Sequence, residues 1–299
     1  MNRPADARPR EAARYRLVTL ANGVTSIHSV AHRETFHPVI GPVAEAEALY
    51  VRQLRLKERL ASSGGELVVW DVGLGAAANA LTVIRALREP GGHLRMVSFD
   101  HTLEPLQFAL EHTGRLGYLR GHRDHLETLV ARRQVAFQDG ALRVDWELHL
   151  ADFPSLLERW SGPDREPSVP PPPHAILYDA YSPAKNPAMW TAPLFRRLHG
   201  LLDPARPCAL PTYSRSTMLR VALLLAGFYV GLGHATGEKE ETTIAANTPD
   251  LIAEPLGPRW LERARHSTSA EPLWEPVYRQ ARLAPQTLDA LRRHPQFTR

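Results

Sequence analysis

With 299 residues, 43% of them hydrophobic and 23% charged, the chain has ordinary globular composition and length enough for one large α/β domain or two small ones. Its net charge of +4 permits an acidic partner but does not by itself indicate nucleic acid, and its single cysteine, Cys208, excludes an internal disulfide and argues against a structural zinc. The longest apolar run, residues 221–232, is too short to span a bilayer, and the N-terminus has no apolar core of a signal peptide, which places the protein in the cytoplasm.

In chain order, a basic arm (1–14) precedes two alternating segments, residues 15–29, that flank Asn22-Gly23, a hairpin signal. A helix is predicted over 43–61. Strand and helix patterns then alternate: ELVVWDV, a helix over 76–88, LRMVSFD, a helix over 103–112, LRVDWELHL and a helix over 153–160. Such alternation means a parallel sheet with crossover helices. The proline-rich stretch 162–173 reads as a surface loop that interrupts the sequence of the sheet without ending the domain. The apolar run HAILY follows as a buried strand. A helix over 192–202, a strand over 207–212, a helix over 216–226 and strands near 228 and 242–246 complete the pattern, the last two forming an antiparallel edge hairpin. The main domain therefore spans 15–249. Beyond it the chain is rich in proline and arginine, with weak helical pattern near 285–293, and residues 250–299 read as an appendage.

The densest chemistry lies in Asp179-Ala180-Tyr181-Ser182-Pro183-Ala184-Lys185-Asn186-Pro187-Ala188-Met189-Trp190. An acid at the tip of a buried strand stands in the crevice where open α/β sheets bind ligands. Three further strand tips carry candidates. Gly73 and Gly75, with Asn79 behind them, form a strand-to-helix turn that lets backbone approach a ligand closely; purely steric use of glycine is the competing reading. Asp100 ends the next strand at a spacing suited to ribose hydroxyls, or serves as a helix N-terminal acid. Asp152 is placed to contact a ligand or to cap the helix after it. A dinucleotide fingerprint would need a third glycine where Ala78 stands, so NAD is not indicated. Acids and a glycine turn around one crevice suit a nucleoside without phosphates, and S-adenosylmethionine fits that description.

Among the cationic residues only Lys57, Lys185 and Lys239 are lysines. Lys185 and Lys239 fall in the chemically dense segments and are candidates for contact with RNA phosphates, against an ordinary surface ammonium. Tyr181 and Trp190 could stack on a nucleobase, although core packing explains Trp190 equally well. The histidines of 112–125 read as a solvated surface that could face RNA, with no acid at metal spacing.

These residues carry a family resemblance. DAYSPAKNPAMW is similar to the D-G-F-x-P-x-K-N-P-x-M-W segment of the methyltransferase domain of MnmC, a bifunctional enzyme of tRNA wobble-uridine modification. ETFHPVIGPVAEA (34–46), DVGLGAAANAL, SFD, HLAD and the segment LLLAGFYVGLGHATGEKEETTIA resemble further family motifs in the same order, so the likeness runs from about residue 19 to 246. It implies a Rossmann-like class I S-adenosylmethionine-dependent methyltransferase, α/β, with a mostly parallel sheet, an antiparallel edge and an N-terminal β-hairpin. It also implies methylation of the aminomethyl group of a modified wobble uridine in tRNA.

Carried over by position, Glu45, Gly73, Gly75, Asn79, Asp100 and Asp152 would bind the cofactor. His37, Tyr181, Lys185, Asn186 and Lys239 would bind the substrate, with Asp179 as orienter and proton acceptor for the amine. No metal is required. Ala77, Ala151 and Pro38 depart from the family pattern, and the methyl of Ala77 is expected to narrow the glycine turn. The family's FAD-dependent oxidoreductase half has no counterpart here, so a separate oxidoreductase would act upstream. A methyltransferase or aminopropyltransferase for a small amine, and a noncatalytic cofactor- or RNA-binding protein, are the competing readings.

Overall fold

The protein is described from a computed structural model covering residues 14–162, 169–237 and 240–298. Residues 1–13 of the basic arm, 163–168 of the proline-rich loop and Lys239 lie outside the described residues.

Strands β1 (Tyr15–Thr19) and β2 (Thr25–Ser29) pair antiparallel around Asn22-Gly23. Leu20 N–H bonds Val24 O at 2.8 Å, and the Asn22 side chain accepts from Val24 N–H. A two-residue strand β3 (Glu34–Thr35), which periodicity could not reveal, joins β2 on its other side. The helix expected over 43–61 is divided into α1 (Pro42–Ala46), a widened π turn over Glu47–Arg52, and α2 (Leu56–Ser62). Ala48, Leu49, Tyr50 and Val51 are all buried, and Arg55 breaks the run in the left-handed region at φ 50°.

The Rossmann-like part begins with β4 (Glu66–Val72), α3 (Ala78–Leu87), β5 (Gly92–Asp100) and α4 (Glu104–Glu111). Helix α5 (Arg123–Arg132) and strand β6 (Gln134–Asp139) follow, neither of them predicted, because β6 alternates exposed with half-buried residues and α5 buries only Leu126 and Leu129. Next come β7 (Leu142–Leu150), α6 (Phe153–Ser161), β8 (Ala175–Tyr178), α7 (Ala192–Gly200), β9 (Ala209–Thr212), α8 (Thr217–Ala226), β10 (Tyr229–Gly233) and β11 (Thr242–Ala246).

The eight strands are ordered β10-β11-β9-β8-β4-β5-β7-β6. The five from β9 to β7 are parallel, while β11 and β6 run opposite to them and β10 pairs antiparallel with β11 at the edge. Successive residues of β4 face opposite sides. Leu67 and Val69 join the core under α1 to α5, and Val68, Trp70 and Val72 join the core under α6 to α8. Burial on both faces is why these strands read as continuous apolar runs.

Residues beyond 249, expected as an appendage, lie against the second core. Helices α9 (Pro258–His266) and α10 (Pro285–Arg292) contribute Trp260, Ala264 and Leu291 to it, and Leu273 bridges to Thr191 in the parallel sense. Edge strand β10 is covered by the segment around Pro255, which bridges Gly231 in the antiparallel sense, with Leu232 N–H bonding Glu254 O at 2.9 Å and Leu256 N–H bonding Val230 O at 3.0 Å. The Gln296 side chain adds to this cover by accepting from Val230 N–H and donating to Val230 O, at 2.8 and 2.7 Å. Histidines read as solvated surface are also partly interior. His122 is buried, and His125 stacks on Phe137 with ring centroids 3.9 Å apart. Leu291→Ala is expected to lower unfolding free energy in urea by about 2–4 kcal/mol, as for any large buried aliphatic side chain, although it lies far beyond the last strand. A change under 0.5 kcal/mol would make the segment a loose tail.

Candidate active site

The order in which strands were laid down creates the site. From β4 the chain steps outward to β5 and β7, then returns across α6 to place β8 on the other side of β4. Such a reversal leaves a crevice beyond the carboxyl ends of the strands. A cavity of about 500 Å³ opens there, within the range of small-molecule sites. Ten of the twelve residues singled out from sequence line it: His37, Glu45, Gly73, Gly75, Asn79, Asp100, Asp152, Asp179, Tyr181 and Asn186. Lys185 is exposed and lies outside its wall; Lys239 falls outside the described residues.

The turn after β4 is built for close approach. Gly73 sits at φ 94°, and a Cβ there would lie 2.7 Å from the backbone oxygen of Asp179. Its N–H bonds Phe99 O at 2.9 Å, tying the turn to β5. Gly75 N–H donates to Asp100 Oδ2 at 2.9 Å, and Thr102 N–H donates to Oδ1 at 3.2 Å. The Asp100 carboxylate is thereby fixed at the crevice edge. Ala77 is left-handed at φ 62° and starts α3. Its methyl packs in the first core, while Ala76 and Ala78 line the cavity. The expected narrowing of the turn by this methyl therefore does not reach the cavity wall. Asp152 caps α6 by accepting from Ser155 N–H at 3.1 Å and Ser155 Oγ at 2.6 Å, so its capping role is visible beside its place in the wall.

On the opposite wall, Asn79 Nδ2 donates to Asp179 Oδ2 at 2.8 Å, joining the first turn of α3 to the tip of β8. His37 stands with Nε2 3.6 Å from that same oxygen and Nδ1 3.5 Å from Glu45 Oε1. Burial opposes its charge, but Asp179 and Glu45 outweigh burial and raise the imidazole above its ordinary value. Its backbone is left-handed at φ 48°, a conformation that costs energy in a non-glycine residue and is held by its surroundings.

The loop after β8 is clamped from the N-terminal sheet. Ser182 donates through N–H and Oγ to Glu34, and the Tyr181 ring stacks on His32 with centroids 4.0 Å apart and meets Phe36 edge-on. Trp190 is core. It donates to Tyr181 O at 2.7 Å and packs edge-on against Tyr178 and Tyr213, which leaves it unable to serve as a base-stacking platform.

Sequence reasoning did not single out Tyr15, His32, Phe36, Tyr118 or Tyr213, all in the cavity wall. Tyr213 was reachable by the same strand-tip logic, being next after β9. Beneath the turn, Asp71 is buried, accepts from Ser98 Oγ at 2.8 Å, and is pushed up to about 7 by burial, with Asp179 and Asp100 adding to the shift.

A family model described as S-adenosyl-L-methionine-dependent methyltransferase matches residues 122–248. The tRNA 5-methylaminomethyl-2-thiouridine biosynthesis bifunctional protein MnmC of Methylibium petroleiphilum is 29% identical over 249 residues, 80% of this chain and 35% of that one. Its namesake in Aeromonas hydrophila is 28% identical over 243 residues, 74% and 34% of the two chains. The chain thus spans about a third of the length of the curated relatives it matches. The crystal structure of MnmC2 from Aquifex aeolicus has the same fold, with a TM-score of 0.64 at 21% identity over 95% of this chain and 84% of that one.

Sheet order, crevice and family match together define a class I S-adenosylmethionine-dependent methyltransferase. Within that class the chain is related to the methyltransferase half of MnmC.

The residues present suit S-adenosylmethionine. A glycine turn in the cavity wall, an anchored carboxylate at Asp100 and the absence of a phosphate-binding lysine from that turn match a nucleoside with an amino-acid arm. Gly73→Ala is therefore expected to weaken cofactor binding at least tenfold by calorimetry, because both the backbone angle and the contact with Asp179 forbid the methyl; an unchanged affinity would show the turn to be yielding. Asp71 predicts a pH effect. Its folded value lies above its unfolded one, so its contribution to stability is full below about 4 and is lost as pH rises through about 7. Asp71→Asn should accordingly be more stable than the parent at pH 8, by a few kcal/mol at most, and no more stable at pH 4, as read from denaturant midpoints at the two pH values.

Proposed function

We propose that the protein is an N-methyltransferase for the aminomethyl group of a modified wobble uridine in tRNA. The observation that carries this reading is the position of Asp179. A carboxylate held by Asn79 at 2.8 Å, on a loop packed directly against Gly73 of the donor turn, is suited to present an amine beside a methyl donor. The relatives are named for the biosynthesis of 5-methylaminomethyl-2-thiouridine in tRNA, and the loop with Lys185 and Asn186 resembles the family segment D-G-F-x-P-x-K-N-P-x-M-W.

S-adenosylmethionine, when bound, supplies a methyl group on a positively charged sulfur. Gly73, Gly75 and Asp100 would hold it, with Asp152, Glu45 and Asn79 completing the wall. Attack on that methyl requires a neutral amine lone pair aligned with it, and alignment supplies much of the acceleration. Asp179 orients the amine through an N–H···O contact. Asn79 keeps the carboxylate from turning away. Tyr181, stacked on His32 and edge-on to Phe36, forms part of the cavity wall. Asn186 lies in the wall next to it, and exposed Lys185 is placed for an RNA phosphate at the mouth.

Among the described residues no helix is long and apolar enough to cross a membrane, and no group of His, Cys, Asp and Glu could hold a metal ion. A cytoplasmic enzyme acting on tRNA after a separate FAD-dependent oxidoreductase goes with this reading.

Asp179→Ala should lose at least a hundredfold in turnover while binding cofactor normally, and unchanged turnover would remove Asp179 from the mechanism. The substrate is tested by mass spectrometry of wobble nucleosides from a strain lacking the gene. Accumulated 5-aminomethyl-2-thiouridine is expected, and an unchanged nucleoside profile would overturn the tRNA assignment in favour of a small amine.

A further inference from the structure

The rim of the cavity carries charge of the opposite sign to its interior. Inside the wall the carboxylates of Glu45, Asp100 and Asp179 are 9%, 9% and 17% exposed. At the mouth stand two exposed cations, Arg33, which belongs to the wall, and Lys185, just outside it. Among the described residues neither has an acid within salt-bridge distance. Two links bring them together. Glu34, next to Arg33, accepts from Ser182 N–H and Oγ, and Ser182 O in turn accepts from Lys185 N–H at 2.8 Å. Beside them His32 stacks on Tyr181. Burial lowers the His32 imidazole, Glu34 opposes that, and His101 and Lys185 add to it. His32 is thus a neutral ring at neutral pH, and the permanent charges of the rim are those of Arg33 and Lys185.

The backbone of Arg33 is a second observation. A turn over residues 30–33 joins β2 to β3 and closes on Arg33 at φ 55°. Glycine or asparagine would take that angle at less cost, so the turn itself does not call for arginine, and strain of this kind gathers at ligand clamps.

We infer that Arg33, together with Lys185, binds the backbone phosphates that flank the acceptor nucleotide, and so makes the cavity selective for an amine carried on an RNA strand over a free amine. The inference rests on the amine-methylation reading above. A ligand that fits this distribution of charge brings its amine to the acids inside and leaves its anionic groups at the rim. A nucleotide with an aminomethyl group on its base has that polarity, whereas a small free amine offers nothing to the rim. The guanidinium fork of Arg33 can hold two phosphate oxygens at once, where the ammonium of Lys185 acts as a point charge. Arg33 touches no reacting atom in this arrangement. Its part is substrate choice.

The test compares a trinucleotide whose central base is 5-aminomethyl-2-thiouracil with the same modified base as a free nucleoside. In the parent the KM for the trinucleotide should lie about tenfold or more below that for the nucleoside. Arg33→Asn keeps a residue that tolerates the left-handed region, and there the ratio should fall to about threefold or less, through a raised KM for the trinucleotide with kcat and cofactor Kd within about threefold of the parent's. Arg33→Lys should keep part of the ratio. A parent without the preference, an unchanged ratio in Arg33→Asn, or a KM raised equally for both acceptors would overturn the inference, the last because it would show the turn merely to support the wall.

If the parent methylates neither acceptor, the functional reading fails, and the rim is then judged with inorganic phosphate alone. By NMR of the arginine Nε–H groups, with the Arg33→Asn spectrum identifying the resonance, Arg33 should shift along a saturating curve as phosphate is added, and chloride at the same ionic strength should not reproduce it. A response equal to that of chloride would overturn the phosphate site independently of activity.

Discussion

The close contact between Gly73 and the backbone of Asp179 is the constraint on which the site depends. Parallel pairing of β4 with β8 brings the two strand tips side by side, and the missing side chain at residue 73 lets them touch, since a Cβ would lie 2.7 Å from Asp179 O. The glycine turn after β4 and the loop after β8, far apart in sequence, thereby share one wall. Asn79 repeats the link one helical turn later, by donating to the Asp179 side chain. Backbone and side chain of the same aspartate are thus both set by the segment that forms the glycine turn. Geometry of this kind does not rest on loop flexibility, because the fixed points are a central strand and the start of a buried helix.

The acids around the crevice differ in what holds them. Asp100 is satisfied by backbone N–H groups and Asp152 by its own helix. Glu45 and Asp179 instead share a histidine, and Asp71, deepest of all, is pushed up to about 7 by burial. The wall therefore grades from carboxylates fixed by the fold to carboxylates whose charge depends on a neighbour. Of these, Glu45 and Asp179 flank His37 in the cavity wall, and Asp71 lies beneath the turn after β4.

Much of the fold was legible because β4, β8 and most of β5 are buried on both faces, β7 alternates buried with exposed residues, and all four are followed by or end in an acid or a glycine within two residues. An apolar run terminated by a polar residue reveals both the strand and its tip. The same logic gave the cavity wall from Gly73 to Asp179. What escaped was structure with no such contrast. Strand β6 turns only Val135 and Phe137 to the core, both half-buried, α5 buries two leucines, and nothing about arginine announces the left-handed break at Arg55. The C-terminal segment hid its core residues in a proline- and arginine-rich background, with Trp260, Leu273 and Leu291 too far apart to show a period. His122 and His125 looked solvated because their partners, Asp139 and Phe137, come from the unpredicted strand. The stack of His32 on Tyr181 joins elements that sequence proximity cannot connect.

Ala77 shows how a departure from a family pattern is resolved by direction. A left-handed alanine costs about 1–2 kcal/mol relative to a right-handed conformation, and its buried methyl offsets roughly 0.8 kcal/mol of that. The methyl has room because Ala77 is buried in the first core and is not part of the cavity wall. The turn keeps its hydrogen bond from Ala77 N–H to Leu74 O at 2.8 Å, and α3 starts normally with Leu81 N–H bonding Ala77 O at 3.0 Å. Glycine at residue 73 has no such alternative. A methyl there would point at Asp179, so the two positions of one turn differ in tolerance for a physical reason: the first faces the shared wall and the other faces the core. The cost at Ala77 is therefore one of stability, and the cavity wall is left as the glycines shape it.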